Sequence, residues 1–429
     1  MKYTLVAPCY FGTESVLNYE IKKIGGEDIQ VSDGRIVFSG DEHVIAAANI
    51  NLRTAERVLI LIKEFKAKTF DELFDGIHAI DWKSLLPVDC QFPVKGSSLS
   101  STLSSVPACQ SIVKKAVVEK LRKQYKTTIL PETGNLYKLR FSIRKDVVSV
   151  MLDTSGDGLH KRGYRRNSGD APIKETLAAT IVDLARVRKD SVVQDPFCGS
   201  GTLLIEAAQK ALNIAPGLKR KFAAEQYAFI PKEVWAEERQ KAKDAIIKDA
   251  DFRAYGFDID PLVLEIAKKN ADKAGVAKYV KFFEADVKKF APEENTVVIT
   301  NPPYGERLGD IETATKLEKT LSKRLEENPV KAAYIITADS EFETSIDRES
   351  AFEQIAKQRE AEEKEKQEIA IREAEEKEEK RKLKESSRKS KSSTGKSIFT
   401  TVIGTAITYF AKTVATQLAR NLTKKTKKK

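Results

Sequence analysis

The feature that most constrains this chain is an alternation from about residue 190 to 340, in which short strand-like runs are each followed by a segment of helix length. The runs "SVVQD", "FRAYGFD", "VKFFEAD", "NTVVITN" and "AAYIITAD" are rich in β-branched and aromatic residues, and helices are expected from Thr202 and from Pro261 to Gly275. Strands separated in this way predict a parallel, doubly wound α/β sheet covered on both faces. Ligands bind such sheets outside the carboxyl ends of the strands. The residues at those ends therefore carry the functional information.

The first tip lies in "VVQDPFCGSGTLLIEAA" (192–208), where Asp195 is followed by Gly199 and Gly201, which let a bulky ligand approach the backbone. The run is not a dinucleotide GxGxxG, because Leu204 holds the third glycine position, and no GKS or GKT follows Gly201 as a phosphate loop requires. Cys198, inside the turn, reads as packing rather than as a nucleophile. The next tips are Asp258 in "YGFDIDP" and Asp286 in "FFEAD". The first can accept hydrogen bonds from both hydroxyls of a ribose, the second from an adenine amino group. Successive acidic tips fit a ligand that carries ribose and adenine without phosphates, and S-adenosylmethionine is such a ligand.

The fourth tip, "TNPPY", ends its strand on Pro302 and Pro303, which cannot extend a sheet ladder. The Asn301 side-chain oxygen and the Pro302 carbonyl can both accept from an exocyclic amine, aiming its lone pair at a methyl group, while Tyr304 stacks on a planar base. Little acid or base chemistry is asked of the protein; positioning supplies most of the rate.

Charge is unevenly spread. The chain of 429 residues has a formal net charge of +11, but residues 381–429 hold 14 Lys and Arg against one acidic residue, which leaves the first 380 residues at −2. The body is not globally basic, so the run "HKRGYRR" (160–166) between the N-terminal half and the sheet is the candidate nucleic-acid contact, through Lys161, Arg162, Tyr164 and Arg165. Four scattered cysteines and three histidines support neither a zinc site nor a disulfide framework, and the N-terminus lacks a signal-peptide core, so a cytoplasmic setting is expected and no metal.

Residues 1–85 mix short strands and helices as a small α+β unit, and 86–155 read as a second one, ending in a hairpin that turns near Lys145-Asp146. The α/β sheet is expected over 156–345, with an amphipathic helix opened by Pro172 leading into it. From 346 the character changes to a charged helix (353–385), a Ser/Lys linker (386–397) and a basic end. "STGKS" (393–397) is read as linker, since Ser390 stands where a phosphate loop needs glycine. The apolar "IFTTVIGTAITYFA" has 14 residues, short of the roughly 20 that span a bilayer, so membrane contact by the tail is unsupported.

The tip motifs resemble those of class I S-adenosylmethionine-dependent methyltransferases, whose (D/N)PPY tip marks methylation of exocyclic or amide nitrogen. A closer resemblance, carried by "LPETGNLYKLRFSIRKDVVSVMLDTSGDGLHKRGYR", "APIKETLAA", "DPFCGSGTLLIEAA", "NIAPGL" and "NPPYGERLGD", is to the THUMP-containing RNA guanine-N2 methyltransferases that act on 23S ribosomal RNA. It covers roughly residues 1–344. It implies a ferredoxin-like domain and a THUMP domain before a Rossmann-like catalytic domain, and large-subunit ribosomal RNA as partner before or during assembly. It further implies cofactor binding by Asp195, Phe197, Gly199, Gly201, Asp258 and Asp286, and a target guanine held by Asn301, Pro302, Pro303 and Tyr304. One departure stands out: the final strand pair that completes a seven-stranded sheet in the family is not found after "AAYIITAD". Two alternatives stay open. One is an RNA-binding or interaction protein with a truncated, inactive catalytic domain. The other is a DNA adenine-N6 methyltransferase, since NPPY recurs in such enzymes.

Overall fold

The computed structural model describes residues 1–165, 173–303 and 308–337. The N-terminal half is built on a seven-stranded mixed sheet of β1 (Tyr3–Pro8), β2 (Glu27–Ser32), β3 (Arg35–Gly40), β4 (Leu59–Lys66), β5 (Val94–Leu99), β6 (Leu139–Arg144) and β7 (Val147–Asp153). Its order is β2-β3-β1-β4-β7-β6-β5, and only the β5–β6 pair is parallel. Side chains alternate across it with period two. Leu5, Ile60, Val150 and Phe141 face the main core, whereas Val6, Leu59 and Met151 form a small cluster of their own. Helices α1 (Glu14–Lys23), α2 (Glu42–Asn51), α3 (Phe70–His78) and α4 (Val106–Tyr125) contribute Leu17, Ile45, Leu73 and Val117 to that core.

The hairpin turn falls at Lys145 (φ 51°) and Asp146 (φ 62°), two left-handed residues that match the twist of β6 and β7. The expected boundary at residue 85, however, does not separate two sheets. β4 pairs with β1 on one side and along its whole length with β7 on the other, so both α+β units share one sheet.

The second sheet is wholly parallel: β8 (Val192–Asp195), β9 (Arg253–Asp258), β10 (Val280–Glu284), β11 (Val297–Thr300) and β12 (Ala332–Ile335), in the order β10-β9-β8-β11-β12. It is flanked by α5 (Glu175–Leu184), α6 (Thr202–Ala211), α8 (Pro261–Ala274) and α9 (Leu308–Glu327), with α7 (Lys232–Asp244) inserted before β9. From β8 the chain winds outward to β9 and β10, then returns to the other side of β8 for β11. That reversal opens a crevice between the carboxyl ends of β8 and β11.

The stretch after α6 does not join the catalytic core. Phe222, Tyr227 and Trp235 are buried in the core of the N-terminal sheet instead. Tyr227 stacks on Tyr137 at 4.4 Å between ring centroids, and Gly217 donates its N–H to the Ile50 carbonyl of α2's last turn at 2.8 Å. An insertion of the catalytic domain thus fastens it to the N-terminal half. The expected amphipathic helix is α5, which starts at Glu175, three residues after Pro172. Pro172 itself, the segment after β12 where no further strand pair was found, the charged helix, the linker and the tail lie outside the described residues. Among the described residues no helix is long and apolar enough to cross a membrane.

Candidate active site

Asp195, the last residue of β8, is only 1% exposed. Its Oδ1 accepts from Thr300 Oγ1 at 2.6 Å and from Phe197 N at 3.0 Å. Burial pushes its carboxyl up to about 7 against the downward pull of those two hydrogen bonds, and the nearby Asp258 charge adds to the rise. Asp195 is thus a buried brace of the turn rather than an open ligand, which qualifies the expectation for it. Phe197 follows as part of the turn, its ring half-buried against the cluster of Val298 and Phe290.

The glycines do what side chains could not. Gly199 (φ 50°) and Gly201 (φ 80°) take left-handed conformations that other residues adopt at a cost of roughly 1–2 kcal/mol. A Cβ on Gly201 would meet Phe282 of β10 at 2.9 Å, whereas one on Gly199 would meet nothing within 4 Å. Gly201 therefore seats the turn against the sheet, and Gly199 faces open space where a ligand can lie against the backbone. Cys198 is buried and its thiol is pushed well up by burial, so the packing reading holds.

Asp258, at the tip of β9, holds the neighbouring turn. Its Oδ2 accepts from Gly199 N and its Oδ1 from Asp260 N, each at 3.0 Å. Each carboxylate oxygen can accept more than one bond, so both retain capacity toward a ligand. Asp286, at the end of the β10 tip, caps a short helical turn by accepting from Lys288 N at 2.9 Å and is half-exposed. Asn270 of α8, buried, donates to the Ser200 carbonyl at 3.1 Å and closes the turn from below. Neither Thr300 nor Asn270 was anticipated. The signal for Thr300 was a hydroxyl ending an otherwise apolar strand; Asn270 had none.

Asn301 is half-buried directly after Thr300, Pro302 is buried and Pro303 exposed. The structure thus brings Asp195, Phe197, Gly199, Gly201, Asp258, Asp286 and Asn301 to one edge of one sheet. Tyr304 lies outside the described residues. Among the described residues no group of His, Cys, Asp and Glu could hold a metal ion.

The basic run is a correction. Arg162 and Tyr164 are buried, 5% and 3% exposed. Arg162 Nε stands 3.6 Å from Glu206 of α6, its Nη1 donates to the Leu159 carbonyl at 2.6 Å, and its Nη2 donates to the Arg53 carbonyl. The Tyr164 hydroxyl donates to the same Glu206 at 3.0 Å, and Arg165 pairs with Glu175 at 3.0 Å. These three side chains tie the segment to α6 and α5 and are engaged by two buried carboxylates, Arg162 and Tyr164 by Glu206 and Arg165 by Glu175, rather than presented to solvent as an RNA surface. Only Lys161 of the four is exposed, 3.6 Å from Asp157.

Comparison with known proteins agrees with this architecture. Three family models match in turn: an RlmL ferredoxin-like domain over residues 4–59, a THUMP domain over 67–153 and an RMKL-like methyltransferase domain over 162–367. The chain is 43% identical over 352 residues to the "Putative RNA methyltransferase YpsC" of Bacillus subtilis, covering 81% of this chain and 91% of that protein. It is 36% identical over 315 residues to the "Ribosomal RNA large subunit methyltransferase K/L" of Psychromonas ingrahamii, covering 70% of this chain and 41% of that longer protein. Among solved structures, SMU.472, "a putative methyltransferase complexed with SAH", aligns with a TM-score of 0.75 at 40% identity over 81% of this chain and 93% of that one. A "predicted N6-adenine-specific DNA methylase" from Listeria monocytogenes aligns with a TM-score of 0.76 at 45% identity over 80% and 91%. The chain therefore belongs to the THUMP-containing, S-adenosylmethionine-dependent RNA methyltransferases of the RlmK/L type.

Proposed function

We propose that this protein transfers a methyl group from S-adenosylmethionine to the exocyclic N2 amine of a guanine in 23S ribosomal RNA. The observation that carries the reading is the convergence of the acidic tips Asp258 and Asp286 and the open Gly199 turn with the Asn301-Pro302 tip around one crevice. The large-subunit substrate is supported by the described activity of the Psychromonas relative. The cofactor supplies an electrophilic methyl on a sulfonium.

On this reading Asp258 takes the ribose hydroxyls, Asp286 the adenine amine, and Gly199 lies against the cofactor. Asp195 and Gly201 keep the turn in shape, and Phe197 keeps it in register with the core. Asn301 Oδ1 and the Pro302 carbonyl accept from the guanine amine and aim its lone pair at the methyl; Pro303 stiffens the turn, and Tyr304 is the ring expected to stack on the base. Bound there, the cofactor would supply the methyl and keep the bonding electron pair on its sulfur, and the proton given up by the methylated amine would pass to water. In-line positioning of this kind is worth on the order of 7–11 kcal/mol.

The test is transfer of labelled methyl to transcribed 23S ribosomal RNA, followed by digestion to nucleosides. N2-methylguanosine, lost in Asn301→Ala with cofactor affinity retained, is the expected result. N6-methyladenosine, or labelling of duplex DNA in place of RNA, would favour the adenine reading and overturn this one.

A further inference from the structure

The active edge is not the only concave surface. A cleft of about 560 Å³ lies between the end of the N-terminal sheet and the catalytic domain. Its wall includes Lys138 before β6, Lys161, the triplet Lys219-Arg220-Lys221 and Lys273 of α8's last turn, against one acidic residue, Asp157. This is a concentrated positive field on a body whose first 380 residues carry −2.

The cations are not neutralised from within. Among the described residues none of Lys138, Lys219, Arg220 or Lys221 has a carboxylate within 4.0 Å. Lys138 donates to the Gly156 carbonyl at 3.3 Å and Lys219 to the Lys273 carbonyl at 3.2 Å, while Arg220 donates to the carbonyls of Leu159 and Asp157, each at 3.1 Å. These backbone contacts hold Lys138, Lys219 and Arg220 in place and leave their charge in excess, with Lys221 lining the cleft beside them. Burial, and after it the neighbouring Arg162, draw the Arg220 guanidinium down to about 10, still charged at neutral pH.

The cleft is remote from the crevice. α6 and α8 start at the strand tips and run back along the sheet, and Gln209 near the end of α6 and Lys273 near the end of α8 line it. Ten and fourteen residues of helix put it on the order of 15–20 Å from the cofactor edge. A nucleotide under methylation cannot reach both places.

We propose that this cleft binds the phosphate backbone of the RNA flanking the target nucleotide, with Lys219 and Lys221 as its principal contacts and Lys161 at its rim. The proposal rests on the RNA reading above and adds where the strand is gripped. Pre-positioned cations with no internal counterion suit phosphates, whose contacts fix register without reading sequence.

The test uses the full-length protein and anisotropy of a labelled single-stranded RNA of about 30 nucleotides across a salt series, with the variant Lys219→Glu/Lys221→Glu and the charge-matched control Lys22→Glu/Lys23→Glu on α1. Losing two phosphate contacts should make the slope of log affinity against log salt shallower by about 1.4 in the cleft variant and not in the control. S-adenosylmethionine affinity, read by calorimetry, should stay at the wild-type value. Equal slopes in the two variants, binding of polyglutamate in place of RNA, or no RNA binding by the wild type would each overturn the proposal. Cleft-dependent binding without methylguanosine formation would uphold it and reject the guanine reading instead.

Discussion

Thr300 Oγ1 donates a 2.6 Å hydrogen bond to Asp195 Oδ1, tying the last residue of β11 to the last residue of β8 at the point where the winding of the sheet reverses. Both residues are buried, so neither can exchange this bond for water. The bond holds the two rims of the crevice in register. Thr300→Val keeps the shape and removes the donor, and should lower unfolding stability by about 1–3 kcal/mol in urea titrations, with Thr300→Ser close to wild type.

The raised Asp195 carboxyl gives stability a pH dependence of known sign. In the unfolded chain the group titrates near its ordinary value of 3.8, in the fold at about 7, so between those values the folded state holds the extra proton. That contribution is fully present below pH 3.8 and is lost as pH rises through about 7, by up to about 4 kcal/mol. The Glu20 and Glu175 carboxyls, also raised by burial, add in the same direction. Asp195→Asn should flatten the fall in melting temperature across this window; an unchanged profile would mean that Asp195 does not titrate there.

Asp258 supports the glycine turn and has capacity left for a ligand. Asp258→Ala leaves the N–H groups of Gly199 and Asp260 without their acceptor and takes away the charge offered to a ribose. Calorimetry should show S-adenosylmethionine affinity falling roughly 10- to 100-fold, the range of a charged hydrogen-bonding group worth about 1.5–3 kcal/mol.

Arg162 answers the Glu206 charge inside the joint between the two halves. Arg162→Ala should destabilise the protein by roughly 3–5 kcal/mol, because it strands a buried carboxylate, and adding Glu206→Gln should recover part of that loss. Where enough folded protein remains, the salt slope of RNA binding should match wild type, since the guanidinium is enclosed.

The sequence alone determined the periodic parts of this protein. Apolar strands alternating with helices specify a parallel sheet, and glycines, prolines and carboxylates at strand ends are local signals, so Gly199, Gly201, Asp258 and Asn301 could be placed at one edge before any coordinates. The hairpin at Lys145-Asp146 was legible for the same reason: its chemistry lies within a few residues. Tertiary structure decided what depends on partners far along the chain. The run at 160–166 reads as a basic RNA contact until Glu206, 44 residues beyond Arg162, turns Arg162 and Tyr164 inward. Phe222, Tyr227 and Trp235 follow a catalytic helix in sequence yet complete the core of the other half, because that sheet offers the apolar surface they can bury against. Lys219 and Lys221, unremarkable in a short lysine-rich loop, acquire meaning only beside Lys138, which a different domain supplies. Local pattern fixes which elements form; the burial of charge and aromatic surface between distant segments fixes how the halves meet and which cations remain for a partner.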